Sequence, residues 1–157
     1  MATNTTLQYL ESTGEDAFGA SASLGANVSN RRQVETFIAS AAIAAGDAVT
    51  FDLSQTDDNL RSLRVLKSAT GVVTTKCFVG VALNSAAALG DRVDVCLAGP
   101  CVANIASGGG VGVPLAIGTT AGKLEDYTAA ASVLSIAAHC VTVPDGGQAT
   151  VIVHKQF

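Results

Sequence analysis

Four cysteines, two histidines and a scatter of aspartates are the side chains of this chain that could do nucleophilic, acid–base or metal chemistry. Cys77, Cys96, Cys101 and Cys140 would form a disulfide framework in a small secreted chain. The opening MATNTTLQYLEST has no basic segment followed by an apolar stretch, so no secretory signal is read. Synthesis in the cytoplasm, or carriage in a particle assembled there, is expected instead. Zinc is disfavoured, because four residues separate Cys96 from Cys101 and neither a second matching pair nor a histidine knuckle accompanies them. Cys77 and Cys96 sit in apolar alternating runs, where a thiol behaves as a small hydrophobe. Buried thiols are therefore the main expectation, and a pairing of Cys96 with Cys101 or of other cysteines stays open.

His139 and His154 lie in β-like apolar runs near the C-terminus, and on paper either could serve Cys140, Cys101 or Ser135 as a base. No nucleophile elbow or other catalytic frame surrounds them. Asp47, Asp52, Asp57, Asp58, Asp91 and Asp94 fall in turns or on polar strand faces, where aspartate bonds its own backbone. Asp57-Asp58-Asn59 lacks the spaced ligands of a calcium loop. Ser107-Gly108-Gly109-Gly110-Val111-Gly112 is not followed by the Gly-Lys-Ser/Thr of a phosphate loop, and Val113-Pro114 blocks entry to a helix. These residues predict no enzyme, no cofactor and no metal.

The elements that carry these side chains are read from composition and period. A chain of 157 residues accommodates one compact domain with an additional arm. Its hydrophobic share of 48% is mostly Ala and Val, with no Trp and 4% aromatics. Burial is worth roughly 25 cal/mol per Å², so a core of small residues gains little per residue, and neighbouring copies are expected to add stability. Charged residues make up 14% and the net charge is −4, which suits packing against protein and opposes nucleic-acid binding. Arg31, Arg32, Arg61, Arg64 and Lys67 form the only basic grouping, read as solvated or subunit-contact charges. No run approaches the ~18 apolar residues of a membrane span.

Residues 1–33 are rich in Thr, Ser, Asn, Gly and Ala and hold no sustained period, which predicts an N-terminal arm, extended or disordered until bound. Leu7, Tyr9, Leu10 and Phe18 are its candidate anchors. From about residue 34 the chain reads as strands: Val34–Ile38, the alternating Ala48–Leu53, Leu63–Lys67, Val72–Thr75, the apolar run Phe78–Leu83, the alternating Arg92–Leu97, Cys101–Ile105, Val113–Ile117, Val133–Val141 and Ala149–His154. Gly46-Asp47, Gly90-Asp91, Gly122-Lys123 and Pro144-Asp145-Gly146-Gly147 supply turns. Ser54–Asn59 reads as a loop, 107–112 as a flexible connection and 85–89 as a helical turn at most. A short apolar strand, a Gly turn and an alternating strand occur at 79–97 and recur at 136–153. The fold class is mainly β: one compact sandwich or barrel-like domain over 34–157.

The order of Ile43-Ala44-Ala45-Gly46-Asp47-Ala48-Val49, Val79-Gly80-Val81-Ala82-Leu83, Gly90-Asp91-Arg92-Val93-Asp94-Val95, Gly122-Lys123-Leu124 and Ala149-Thr150-Val151-Ile152-Val153 resembles a family of bacteriophage capsid decoration, or cement, proteins. The resemblance covers about residues 34–155 and departs at Ile136-Ala137-Ala138-His139-Cys140, which lacks the glycine of the corresponding strand. It implies a structural virion protein on the outer surface of an icosahedral capsid, cementing the shell against internal pressure. The implied partners are the major capsid protein and further copies of the chain, as trimers more commonly than dimers, without direct nucleic acid or membrane contact. The arm would reach the shell by adding a strand to an exposed sheet edge. The alternative expectation is a β-rich receptor-binding or fibre-type domain of a phage tail or cell surface, although only Tyr9 and Tyr127 could serve as aromatic platforms there.

Overall fold

The computed structural model describes residues 32–68, 77–127 and 136–155. The arm anchors Leu7, Tyr9, Leu10 and Phe18, the expected strand Val72–Thr75 and residues 133–135 lie outside the described residues. The described chain is mainly β, as its alternating runs predict: β1 (Gln33–Ala39), β2 (Ala48–Phe51), α1 (Asp58–Leu63), β3 (Arg64–Lys67), β4 (Phe78–Ala82), β5 (Arg92–Ser107), β6 (Pro114–Ile117), β7 (Leu124–Asp126), β8 (Ala138–Cys140) and β9 (Gln148–Val153).

Strand pairing closes twice. β1 lies parallel to β3, β3 pairs with β2, β2 with β4, β4 with β5, and β5 returns to β1, giving a closed circuit of five strands. The same order of partners then repeats. β5 lies parallel to β7, β7 pairs with β6, β6 with β8, β8 with β9, and β9 returns to β5. The 16-residue β5 is thus the last strand of the first circuit and the first strand of the second. The echo between 79–97 and 136–153 corresponds to β4–β5 and β8–β9, the equivalent closing pairs of the two circuits.

β5 changes partners at its middle. Val93 to Ala98 lie along β1, and Gly99 to Asn104 lie along β9. β1 and β9 therefore run end to end on one edge of β5, and Lys155 Nζ just past β9 reaches Gln33 Oε1 at 3.4 Å. Gly99-Pro100, which reads as a break between two strands, is instead a bend within one. Gly99 takes a φ of 97°, and the pairing with β1 skips Leu97, a bulge that turns the strand. Proline, which cannot donate to a ladder, is tolerated at such a transition.

Two apolar cores follow from the alternation. Val93, Val95 and Leu97 share a face, as expected, and pack with Phe37, Val49, Val65 and Val79 in the first circuit. Cys101, Ala103, Ile105, Leu115, Leu124, Val151 and Val153 fill the second, joined by Ala48, Phe78, Val81 and Cys96 from the opposite face of β2, β4 and β5. β4 is consequently buried on both faces, which explains why it reads as an unbroken apolar run. Gly80 is what allows β4 to lie so close to β5: a Cβ there would sit 2.1 Å from the Cys96 carbonyl oxygen. The largest fully buried side chains among the described residues are Leu97, Leu115, Leu124 and a set of valines, each worth about 1.5–3 kcal/mol on burial.

Turns launch the strands. In Ala44–Asp47 and Ala88–Asp91 the fourth amide donates to the first carbonyl, at 3.1 and 3.3 Å, and the third residue is a glycine at φ 85° and 94°. These are type II turns, whose third position requires a left-handed residue. In each, the aspartate Oδ2 also accepts the first residue's amide at 2.9 Å. Residues 110–113 and 120–123 close with the same hydrogen bond just before β6 and β7, so the tract read as a flexible connection ends in a defined turn. The Ala-rich stretch 85–89 is not helical; Ala86 bridges Ile43 and the Asp91 carboxylate gathers the amides of Ala87 and Ala88. The segment read as a loop contains the start of α1, because Asp57 accepts the Asn59 amide as an N-cap and Asp58 pairs with Arg61 across one turn at 2.7 Å.

Candidate interaction surface

The carboxylates that could have done acid–base chemistry are occupied holding backbone in place. Asp47, Asp52 and Glu125 are buried. Asp47 accepts from Ala44 N, Asp52 from Ser54 N at 3.1 Å, and Glu125 from Thr119 N at 2.9 Å. Asp52 also accepts from the Ser40 and Ser54 hydroxyls and from Gln55 Nε2, all at 2.6 Å. Burial alone would raise its pKa, but these hydrogen bonds outweigh burial and hold it at about 2, from 3.8. Asp126 accepts the Gly109 amide at 2.7 Å, so an amide of the Gly-rich tract that might have met a phosphate already faces a carboxylate. Asp94 accepts the Thr36 hydroxyl at 2.6 Å, tying β5 to β1.

Strand alternation separates the nucleophile from the bases. Cys140 is buried and its thiol donates to the Thr142 carbonyl, whereas His139 is turned outward and meets His154 with Nδ1···Nε2 at 2.6 Å. Sequence reasoning placed both histidines in neighbouring C-terminal segments without bringing them together. Their meeting follows from the register, in which His139 lies opposite Ile152 and His154 is the next outward residue along the same edge. Burial, reinforced by the charge of His139, lowers the His154 pKa. All four cysteines are free thiols, with Cys96, Cys101 and Cys140 buried and Cys77 half-buried. The neighbouring Cys101 thiol lowers the Cys96 pKa, while the Cys96 sulfur and burial push Cys101 well above the usual thiol range.

The waist where the two circuits share β5 carries the most developed surface feature. Asn104 on β5 donates to Asp47 Oδ1 at 2.9 Å and to the Ala45 carbonyl at 3.2 Å, and its Oδ1 accepts from Gln148 on β9 at 3.0 Å. This chain of hydrogen bonds links the Gly46 turn of the first circuit to the second. Beside it lies a shallow cavity of about 340 Å³ lined by Arg32, Ala45, Gly46, Leu83, Val102 and Gln148. On the adjoining outer face, Val102 is 51% and Ile152 44% exposed, with Pro100 directly opposite Ile152. Arg32, the first described residue, is one wall of this cavity. No such cavity is legible in the sequence, because its walls come from five separate segments.

The fold therefore belongs to the mainly β class, built from two closed five-strand circuits on a common strand. The same fold is seen in the N base of the head fiber gp8.5 of bacteriophage phi29, which aligns with 78% of this chain and 94% of its own at a TM-score of 0.50 and 19% identity. No protein family model matches the chain, and no curated protein matches it.

Proposed function

We propose that this chain is a non-enzymatic structural protein of a bacteriophage virion, seated on the outer surface of the head and cementing the shell. The observation that carries the reading is the fold shared with a phage head protein over most of the chain. It is supported by the ordered motifs around Gly46-Asp47, Val79–Leu83 and Gly90-Asp91. The buried carboxylates, each committed to loop amides, suit a rigid body rather than a site for turnover. In this reading the 1–33 arm, through Leu7, Tyr9, Leu10 and Phe18, adds a strand to an exposed edge of the major capsid protein. Several copies associated as trimers engage several capsid subunits at once, so modest contacts multiply.

A second reading is favoured by the particular neighbour: the base of a fibre that projects from the head. One experiment separates the two. Purified chain is added to expanded heads lacking it, the heads are sedimented, and the temperature of DNA release is recorded. A cement protein saturates the shell and raises that temperature; a fibre base binds sparsely and leaves it unchanged. Protein lacking residues 1–31 is expected to stay folded and remain in the supernatant. Co-sedimentation equal to the full chain would refute the role of the arm.

A further inference from the structure

The two circuits correspond strand for strand and in register along their ladders. Ile38 faces Arg92 as Asn104 faces Gln148, Phe51 faces Val65 as Ile117 faces Leu124, and Ala48 faces Val81 as Pro114 faces His139. Hydrogen bonds outside the ladders repeat as well: Ser68 N donates to the Ala48 carbonyl as Tyr127 N donates to that of Pro114, both at 2.9 Å. Residues opposite one another across a ladder share a face, so the correspondence extends to whole rows. On the outer face of the first circuit, Val34, Cys96, Val81 and Ala48 form a row across β1, β5, β4 and β2. The matching row of the second circuit is Pro100, Ile152, His139 and Pro114, across β5, β9, β8 and β6.

The fates of the two rows differ. Cys96, Val81 and Ala48 are fully buried, packed into the core of the second circuit. Ile152 is exposed, and Pro100, His139 and Pro114 are half-buried. The next row repeats the contrast. In the first circuit its solvent-facing members are Thr36 and Asp94, bonded to each other. In the second, Val102 and Thr150 stand in their places, with the exposed Val141 beside Thr150.

We propose that the outer face of the second circuit, centred on Ile152 and Val102, is where a second copy of this chain docks. The occupant follows from the repeat: the corresponding face of the first circuit is covered by a circuit of this same fold, and the interface within the chain is continued by one between chains. Other partners suit the surface less. Among the described residues every strand has neighbours on both edges, so an extended peptide finds no ladder to join. Pro100, Val102, Pro114, Val141, Thr150 and Ile152 carry no charge, which offers nothing to a nucleic acid. A sheet face of this kind is buried by packing on another, about 10 Å away. The inference rests on the cementing reading for the association of copies and supplies the surface they use.

The test is sedimentation equilibrium of the full chain across the micromolar range, where dimers or larger species are expected. Ile152→Lys and Val102→Lys each bury an unpaired charge in the interface and should weaken association roughly tenfold or more. Leu89→Lys, at an exposed apolar residue of the first circuit, should leave it unchanged. Both interface positions face solvent in the single chain, and thermal unfolding checks that each variant is folded. A full chain that stays monomeric, undiminished association of either folded interface variant, or an equal loss in Leu89→Lys would overturn the proposal. Monomeric protein that still saturates and stabilises heads would overturn the docking face alone and leave the cementing reading standing.

Discussion

Replacing Gly80 with alanine tests the shared wall between the two cores. The new methyl carbon would stand 2.1 Å from the Cys96 carbonyl oxygen, 2.8 Å from Val95 Cγ1 and 2.9 Å from the Cys96 carbonyl carbon. Relief requires β4 to move away from β5 by roughly 1 Å, given that nonbonded carbon atoms approach to about 3.5 Å. β4 is buried on both faces and also paired to β2, so a shift there disturbs both cores and two ladders. Overpacking of this kind costs about 1–3 kcal/mol, and the strained ladders place Gly80→Ala at the upper end, about 3 kcal/mol. For a chain of this size that corresponds to a fall in Tm of about 6–12 °C. Gly90→Ala is the matched control: no atom lies within 4 Å of its Cβ position, and its only penalty is a φ of 94°. That penalty is about 1–2 kcal/mol, and the gain from a stiffer unfolded chain is common to both variants. Urea unfolding of the three proteins, with unchanged m-values, gives the comparison. A Gly80→Ala protein as stable as Gly90→Ala would show that β4 and β5 are not in this contact.

Asp52 makes stability depend on acid. Its pKa is depressed in the folded chain, so its contribution is complete above the unfolded value near 4 and is lost as pH falls through about 2. The shift is worth about 2 kcal/mol. Urea unfolding between pH 5 and pH 2 (about the range set by the two pKa values) should show a slope that Asp52→Asn reduces; an unreduced slope would refute the assignment. Asn104→Ala leaves Asp47 Oδ1 and the Ala45 carbonyl without this donor at the waist, and a loss of about 1–3 kcal/mol is expected. Gln148→Ala, which removes one exposed bond at the rim, should cost less. Equal losses would mean that the network is not centred on Asn104.

Which segments become strands was legible because alternation is written locally. Val93, Val95 and Leu97 declare their common face in six residues, and the unbroken Phe78–Ala82 run declares burial on both sides. Partner choice was not legible, because a period of two says nothing about which edge a strand meets. The parallel pairs β1–β3 and β5–β7, and therefore both closures, depend on long-range register. The continuity of β5 was hidden by Gly99-Pro100, whose local chemistry signals a break unless the strand has a new partner waiting. Helix α1 was missed because its six residues carry no buried face and only Asp57 announces it. The candidate anchors Leu7, Tyr9, Leu10 and Phe18 were chosen from isolated apolar residues in a polar segment and lie outside the described residues.

The end-to-end placement of β9 and β1 has a mechanical consequence. Because Gln33 and Lys155 touch at the middle of β5, both exits of the folded body share one point, midway between the circuits. A body restrained by its ends is thus gripped at its centre of length. It would pivot there like a beam on a single pin, with β5 as the beam and the Ala44–Asp47 turn beside the grip. Held this way against a shell it would rest broadside, so the angle between β5 and the capsid surface is itself a measurement that tells a clamp from the foot of a projecting fibre.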